Sequence, residues 1–241
     1  MSKLSRLDSV RLLATLPHPC GYLPDREATT VFIDPQTPVD RRLYSRLSEL
    51  GFRRSGSYLY RPQCADCRAC VPTRIPVNLF RPNRGQRRCW RRNSDLEALQ
   101  VQSIDTDEHY ELYARYIENR HADGEMYPPS RQQLRDFLIP AWDSTCYVEF
   151  RAQGRLVATA VTDLLIAGMS AIYTFFDPEE RQRGLGNYCI LYQIQWARQL
   201  GLNSLYLGYW IEQCDKMAYK RQFRPVEMLR GNHWSRLSEE D

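Results

Sequence analysis

The sequence has little that would mark an exported or membrane-spanning protein. Residues 1–19 are interrupted by Arg6, Asp8 and Arg11 and contain no continuous apolar run, so they predict no signal peptide. Residues 156–176 carry a single charge, Asp163, over a length that could span a bilayer. Their Gly168 and their many Thr, Val, Tyr and Phe residues instead favour a buried hairpin. We therefore expect a cytoplasmic protein without a membrane span.

The chain also lacks internal repeats, low-complexity tracts and a nucleophile signature such as G-x-S-x-G. Its 241 residues, with 43% hydrophobic and 12% aromatic residues, indicate a globular protein of one large or two small domains. Eight cysteines in a cytoplasmic chain favour thiols or metal ligands over a disulfide framework.

Acidic residues are nearly missing from one segment. Residues 51–92 contain eleven Arg and one acidic residue, Asp66, a local balance of 11 − 1 = +10 within a chain of net charge +4. The rest of the chain is therefore close to −6, by subtraction from the same total. A concentrated basic segment on a mildly acidic body predicts a polyanionic partner.

The element order predicts two parts. Residues 1–93 are broken by proline and indicate short strands, loops and one helix at residues 40–50, and they form the predicted Cys- and Arg-rich N-terminal domain. Residues 94–241 form the second predicted domain. In it we expect helices at 106–120, 130–138 and 185–200, and strands at 146–150, 156–165, 169–176 and 204–209.

The order strand, strand, loop, long helix, strand is that of a GNAT-type acyltransferase, so we predict an α/β (α+β) fold of that kind. In such folds a loop and a helix N-terminus bind the phosphates of an acyl carrier. Here the loop holds Arg181, Arg183, Gly184 and Gly186 directly before the helix. The alternative is a glycine-containing turn with solvated arginines.

A group of cysteines is the candidate metal site. Cys64, Cys67 and Cys70 are spaced by two residues, and Cys20 lies upstream. Four thiolates could hold structural zinc or an iron–sulfur cluster. Reduced thiols that shape a loop explain the pattern equally well, and both readings stay open here.

The basic run at residues 81–92 holds six arginines with an interleaved Trp90. Arginines with an aromatic ring suit phosphate neutralisation and base stacking. A solvated charged face would have mixed signs, so nucleic acid is the favoured partner. Residues 204–225 then join a strand rich in aromatics to a segment with Lys216 and Lys220, which could line a pocket or belong to the core.

Taken together, these segments resemble the aminoacyl-tRNA–protein transferases of the N-degron pathway, in particular their short bacterial branch. The matches occur in order along most of the chain, at residues 20–28, 51–56, 60–62, 70–76, 120–121, 173–178, 206–209 and 216–220.

The resemblance implies transfer of leucine from leucyl-tRNA to proteins that begin with Asp or Glu, marking them for degradation. Arginyl-tRNA is the alternative donor. No cofactor is expected for transfer, because the aminoacyl ester is already activated. The nucleophile is an α-amine with a pKa of about 8, so the enzyme must juxtapose the reactants, stabilise the oxyanion and handle one proton.

The resemblance also implies roles for particular residues. Arg26 or Arg74 would pair with the acceptor's acidic side chain. Tyr209, Lys216 and Tyr219 would orient the ester carbonyl or relay the proton. His121 and Asp163 are candidate bases, with a structural role as the alternative. The tRNA phosphates would be held by residues of the basic run and of the loop: Arg84, Arg87, Arg88, Arg91, Arg92, Arg183, Gly184 and Gly186.

Two rival functions explain part of the sequence. An N-acetyltransferase that uses acetyl-CoA explains the loop but leaves the arginine and cysteine clusters without a purpose. A non-catalytic RNA-binding metalloprotein explains those clusters but not the acyltransferase order. The sequence does not define the oligomeric state.

Overall fold

The computed structural model describes residues 10–124 and 126–237. Residues 1–9 of the stretch considered for a signal peptide therefore lie outside the described residues. The helices are α1 (Arg41–Glu49), α2 (Arg84–Arg92), α3 (Asp107–Arg120), α4 (Arg131–Leu138) and α5 (Leu185–Gln199), with 3₁₀ helices at Arg181–Arg183 and Asp215–Gln222.

Within the described residues the strands form three sheets. They are β1 (Leu12–Ala14), β2 (His18–Pro19), β3 (Glu27–Ala28), β4 (Thr30–Ile33), β5 (Arg53–Ser55), β6 (Tyr58–Pro62), β7 (Val71–Pro76), β8 (Glu97–Val101), β9 (Thr145–Ala152), β10 (Arg155–Leu164), β11 (Gly168–Phe176), β12 (Ser204–Trp210), β13 (Glu227–Arg230) and β14 (His233–Arg236). A small sheet has the order β1-β4-β6-β5, a large one has the order β14-β13-β7-β12-β11-β10-β9-β8, and β2 pairs with β3.

Local signals define most helices. Asp40, Thr106 and Ser130 are the N-caps of α1, α3 and α4, and each side chain accepts a hydrogen bond from a backbone N–H of the first turn. These three helices and α5 agree with the sequence prediction. Residues 156–176 form the antiparallel hairpin β10–β11, as predicted.

One helix was not predicted. The basic run forms α2, which begins with a capping box between Asn83 and Gln86. Its buried side is narrow: Gln86 is buried while Cys89 and Trp90 are half-buried against α5 and the sheet. Without a wide apolar face, the helical period is hidden among arginines.

Helices cover both faces of the large sheet. One face carries α5, whose Leu185, Cys189 and Ile194 are buried. The other carries α3 and α4, which bury Tyr113 and Leu134 against the sheet. This layering, with the predicted strand–loop–helix–strand order, confirms the acetyltransferase-like α/β fold.

The N-terminal segment shares the large sheet. β7 is antiparallel to both β12 and β13, so a strand from residues 1–93 lies inside the sheet of residues 94–241. The two segments are also joined by a fully buried ion pair in which Arg54 Nε lies 2.5 Å from Asp163 Oδ2. Tyr44 donates a hydrogen bond of 2.7 Å to the same oxygen. The division at residue 93 stays a prediction.

Candidate active site

The candidate site lies where two neighbouring strands of the large sheet separate. β11 and β12 pair in parallel over their first residues, as far as Ser170 opposite Tyr206. The strands themselves continue to Phe176 and Trp210. The parallel ladder therefore ends early, and a gap opens between the two strands.

The side chain of Arg53 fills the floor of this gap. Its guanidinium donates hydrogen bonds to the Ser170 hydroxyl (2.5 Å) and to the carbonyl oxygen of Ala171 (2.6 Å) on β11. On the β12 side Gly208 has φ +80°, and a Cβ at this position would lie 3.2 Å from Arg53 Nε. Glycine suits both this backbone conformation and this close contact. Arg53, from β5, thus makes hydrogen bonds to β11 at the point where the ladder between β11 and β12 ends.

Above Arg53 the gap widens into a cavity of about 970 Å³. This volume is within the range of sites that bury most of a small organic molecule. The walls come from the C-terminal part of α3, the separated part of β11, the loop before α5, the start of α5 and the 3₁₀ helix Asp215–Gln222. The lining residues include Tyr116, Arg120, His121, Tyr173, Phe176, Gly184, Gly186, Asn187, Leu207, Lys216, Tyr219 and Lys220.

One wall of the cavity is the predicted phosphate loop. Gly184 has φ +67° and begins α5 without a side-chain cap. The first backbone N–H groups of a helix have no partner within it, and the helix dipole favours an anion there. A Cβ at Gly186 would lie 3.3 Å from the Phe176 ring, so glycine brings this backbone close to β11. The structure therefore places both predicted glycines on the cavity.

The two arginines of the loop have different surroundings. Arg183 is ion-paired with Asp95, at 2.8 Å, and with Glu180, at 2.9 Å. Its hydrogen bonds lower the pKa of Asp95 below the usual range. Arg181 is exposed at the cavity and donates a hydrogen bond to the carbonyl oxygen of Pro178. Arg183 therefore stabilises the loop through its ion pairs with Asp95 and Glu180. Its contact with tRNA stays a prediction.

The helix α2 lies beside the same loop. Arg92 donates a hydrogen bond to the carbonyl oxygen of Gln182, and Asn93 Nδ2 donates one of 2.9 Å to that of Arg183. At the other end, Gln86 donates to the carbonyl oxygen of Gln222 (3.0 Å), which ends the 3₁₀ helix of the cavity. The predicted tRNA-binding arginines on α2 are all exposed: Arg84, Arg87, Arg88, Arg91 and Arg92. We call these five residues the α2 arginine row.

The three residues predicted to be catalytic have different positions. Tyr209 is buried, and its hydroxyl donates to the carbonyl oxygen of Gly51 at 2.8 Å, which is a structural contact. Lys216 lines the cavity at its mouth, where Nζ lies 3.0 Å from an Asp123 carboxylate oxygen. Tyr219 lines the cavity with 37% of its surface exposed, and burial, followed by the nearby Tyr116, raises its pKa to about 12. Two of the three therefore belong to the cavity.

Sequence reasoning placed Lys220 in a segment that could line a pocket but gave it no role, and the structure shows it as a buried amine on the cavity wall. The residue is 7% exposed, and Nζ donates a hydrogen bond to the carbonyl oxygen of Tyr209. Burial and, after it, the positive charge of the nearby Arg53 lower the pKa of Lys220 to about 7. The sequence shows two lysines four positions apart, and only burial separates the exposed Lys216 from Lys220.

The two arginines predicted to bind the acceptor lie elsewhere. Arg74 is half-buried on β7, with Nε 2.7 Å from a Glu227 oxygen and the guanidinium 4.4 Å from the centre of the Trp234 ring. Arg26 is exposed in the connection between β2 and β3. Neither is among the described residues that line the cavity.

The four predicted metal ligands are neighbours. Burial raises the pKa of Cys70 to about 12, with further contributions from the nearby Cys20, Cys64 and Cys67. Within residues 10–124 and 126–237, however, no group of three or more His, Cys, Asp or Glu side chains has an arrangement that could hold a metal ion. Zinc or an iron–sulfur cluster at these cysteines stays a prediction.

The two candidate bases, Asp163 and His121, lie in different surroundings. Asp163 is fully buried and accepts hydrogen bonds from Arg54, Tyr44 and Thr145. It is therefore a structural group, as the alternative reading held. His121 lines the cavity, where burial and then the positive charge of Lys216 lower its pKa.

In the part of the chain that the structure describes, no helix is both long and apolar enough to cross a bilayer.

Similar known proteins match this chain over nearly its whole length. A protein from Saccharophagus degradans named aspartate/glutamate leucyltransferase is 53% identical over 232 residues, which cover 96% of this chain and 98% of the relative. One of the same name from Pseudomonas fluorescens is 54% identical over 234 residues, covering 97% and 98%.

Among solved structures, the C-terminal domain of a putative lysylphosphatidylglycerol synthetase from Agrobacterium fabrum superposes with a TM-score of 0.48 at 15% identity. That similarity covers 78% of this chain and 65% of the other.

The family comparison matches both parts of the chain. Residues 18–88 match the family described as arginine-tRNA-protein transferase, N terminus, and residues 108–230 match its C terminus. The predicted enzyme class is thereby confirmed. The chain belongs to the arginine-tRNA-protein transferase family, and it is an enzyme that transfers an aminoacyl group from tRNA to a protein.

Proposed function

We propose that this enzyme transfers leucine from leucyl-tRNA to the N-terminal Asp or Glu of acceptor proteins in the cytoplasm, which marks them for degradation by the N-degron pathway. The observation that carries the proposal is the cavity between β11 and β12, which opens between the helix start at Gly184 and the 3₁₀ helix Asp215–Gln222. Relatives named aspartate/glutamate leucyltransferase support leucine as the donor group and acidic residues as acceptors.

The tRNA would enter along the α2 arginine row. Its exposed guanidinium groups suit the phosphates of the acceptor stem, which carry a negative charge at each nucleotide. The backbone N–H groups at Gly184 and Gly186 would hold a phosphate close to the 3′ end. This path leads the aminoacyl ester into the cavity, where the ester and the acceptor's N-terminus would meet.

Inside the cavity Tyr219 is suited to donate a hydrogen bond to the ester carbonyl. Because its pKa is about 12, the hydroxyl keeps its proton at neutral pH. A fixed donor at an oxygen that gains negative charge in the transition state lowers the barrier for acyl transfer. Lys216, at the mouth of the cavity, adds a positive charge that would attract the acidic acceptor side chain or the tRNA.

Arg26 is the better placed of the two predicted acceptor-binding arginines. The guanidinium of Arg74 is engaged by Glu227 and Trp234. Arg26 is exposed on the turn that also holds Tyr22, and the pKa of Tyr22 is raised to about 12 by burial and by nearby groups that include Cys214, next to the cavity's 3₁₀ helix. We therefore assign the acidic side chain of the acceptor to Arg26.

One transfer assay tests the proposed function. Leucyl-tRNA and arginyl-tRNA, each carrying a radiolabelled amino acid, are offered with peptides that begin with Asp, Glu or Lys. We expect labelled leucine on the Asp and Glu peptides alone. Labelled arginine on those peptides would replace leucine with arginine as the donor. A lack of transfer from either tRNA, with acetylation of a peptide from acetyl-CoA, would contradict the proposal.

A further inference from the structure

Lys220 is a buried amine that has no carboxylate partner among the residues the structure describes. Among the described residues its Nζ has one hydrogen-bond acceptor, the carbonyl oxygen of Tyr209, and forms no ion pair. The residue is 7% exposed, and it lines the reaction cavity. A buried ammonium is costly without a paired carboxylate, and proteins avoid that cost by favouring the neutral amine. A purely structural lysine would be expected to have an acidic partner.

The groups around Lys220 favour the neutral amine. From β5, the guanidinium of Arg53 repels a charge on Nζ, and it is fixed in place by its bonds to β11. The thiol of Cys214 acts in the opposite direction, towards the charged form, but its effect is smaller than those of burial and of Arg53. On its own helix the Tyr219 ring centre lies 5.9 Å from Nζ. The pKa of Lys220 is lowered to about 7 as a result.

Other basic groups in the cavity or next to it are less suited to take a proton. Lys216 is ion-paired with Asp123, and its side chain is 61% exposed at the mouth of the cavity. The side chain of Arg53 is a guanidinium, which stays protonated in proteins. His121 follows the end of α3, and its pKa is lowered by burial and then by the charges of Lys216 and Arg120. Lys220 lies deeper, next to the floor where the strands separate.

We propose that Lys220 is the catalytic residue that takes the proton from the acceptor's α-amine as the new amide bond forms. The inference rests on the proposed function and deepens it, since it assigns the proton transfer of that reaction to one side chain. A neutral amine has N–H groups that donate and a lone pair that accepts. One N–H therefore holds the Tyr209 carbonyl oxygen while the lone pair faces the cavity.

The reaction balances with this assignment. The neutral α-amine of the acceptor attacks the ester carbonyl carbon, so that a C–N bond forms and the carbonyl oxygen becomes an oxyanion. The attacking nitrogen gives its extra proton to Lys220 Nζ. The oxyanion then collapses, the bond from carbon to the ribose oxygen of tRNA breaks, and that oxygen receives the proton from Lys220. The products are the amide and the free tRNA hydroxyl, and Lys220 is neutral again.

Two substitutions separate a base from a fixed positive charge. Lys220→Arg introduces a permanent cation that can donate to the Tyr209 carbonyl oxygen, but a guanidinium does not release its proton at these pH values. Lys220→Met keeps the length of the side chain and removes the amine. Because a positioned base contributes about 10²- to 10⁴-fold, both variants should lose single-turnover rate by about that factor at saturating peptide. Lys216→Met, on the same segment, should raise KM and keep the dependence of the rate on pH.

The measurement is the single-turnover rate of leucine transfer from preformed leucyl-tRNA to an Asp-starting peptide, from about pH 6 to about pH 9. For the unmodified enzyme we expect the plot of this rate against pH to have two limbs. The lower limb lies near the pKa of Lys220, and the upper limb lies near the pKa of the peptide amine, at about 8. Both Lys220 variants should lack the lower limb. In a third variant, Lys220→Ala, small primary amines in solution should restore peptide leucylation, more strongly for amines of higher pKa.

The outcomes are distinguishable. If the unmodified enzyme transfers no leucine, the proposed function fails before Lys220 is tested. If Lys220→Arg keeps the rate within about threefold or keeps the lower limb, the proton transfer is not made by Lys220. If the Lys220 variants lose thermal stability or leucyl-tRNA affinity in proportion to the lost rate, the residue has a structural role, and the inference is overturned.

Discussion

Arg53 lies in contact with Gly208 across the gap between β11 and β12. A Cβ on Gly208 would be 3.2 Å from Arg53 Nε, and the same guanidinium donates to Ser170 and Ala171 on the facing strand. The arginine and the glycine are 155 positions apart in sequence (208 − 53). They lie where the two strands separate, next to the cavity, and their contact can be tested directly.

Gly208→Ala should lower the activity by more than its effect on the free energy of unfolding explains. The new Cβ strains a backbone at φ +80° by about 1 to 2 kcal/mol and displaces Arg53 from β11. Gly154→Ala is a matched control, because Gly154 also has φ +80° but nothing lies within 4 Å of its Cβ position. Urea unfolding should give similar losses for both variants, while kcat/KM for leucine transfer should fall about tenfold or more only in Gly208→Ala. Equal activity in the two variants would show that Arg53 can move without consequence.

The buried pair of Arg54 and Asp163 should govern stability. Arg54→Met leaves the Asp163 carboxylate unpaired in the interior and should lower the free energy of unfolding by about 3 to 5 kcal/mol. Urea denaturation measures this loss. The double variant Arg54→Met with Asp163→Leu should recover part of it, because no buried charge remains. A loss below about 1 kcal/mol would contradict the structural role of Asp163.

Lys220 should make stability depend on pH. Its pKa is about 7 in the folded protein against an ordinary value of 10.5, so between these values the unfolded chain binds a proton that the folded chain does not. The free energy of unfolding should therefore rise with pH in this window, by at most about 1.4 kcal/mol per pH unit from this group. Below the folded pKa both states are protonated, and the dependence from Lys220 disappears.

Lys220→Met should flatten that rise, as measured by urea unfolding from about pH 7 to about pH 9.5. Lys216→Met, which removes a largely exposed lysine, should keep the slope of the unmodified protein. If the free energy of unfolding changed with pH in the same way in the unmodified protein and in Lys220→Met, the amine would be charged in the folded state.

The α2 arginine row should account for a defined part of tRNA affinity. Arg87→Gln with Arg88→Gln removes two exposed cations, and the slope of log affinity against log salt should become shallower by about 1.4 to 1.8. Filter binding of leucyl-tRNA at several salt concentrations gives this slope. Arg42→Gln with Arg46→Gln, two exposed arginines of α1, is the control and should bind with the original slope. The same decrease in both variants would indicate that net charge, rather than α2, attracts the tRNA.

Arg26 should affect acceptor recognition, whereas Arg74 should affect stability. Arg26→Ala should raise KM for Asp-starting peptides about tenfold or more, because a charge-assisted pair with the acceptor carboxylate is lost. Arg74→Ala should instead lower the melting temperature, since it leaves the half-buried Glu227 without its partner. Peptide KM values and thermal unfolding separate these effects. An unchanged KM in Arg26→Ala would remove this residue from the acceptor site.

The sequence by itself determined the features that depend on near neighbours in the chain. The caps Asp40, Thr106 and Ser130 define helix starts through contacts within a single turn. The glycine at position 184 and the helix that follows it define the loop that we predict to bind phosphate. A capping box at Asn83 and Gln86 could also have predicted α2, but its arginines concealed the helical period.

Only the tertiary structure decided what surrounds each charged side chain. Arg74 meets Glu227 across 153 positions of sequence, and β7 enters the large sheet between β12 and β13. Lys216 and Lys220 look alike in the sequence, yet one is an exposed ion pair and the other is a buried amine beside Arg53. Desolvation and long-range pairing depend on residues that folding brings together from distant parts of the chain, and these effects separate a buried amine of lowered pKa from a solvated one.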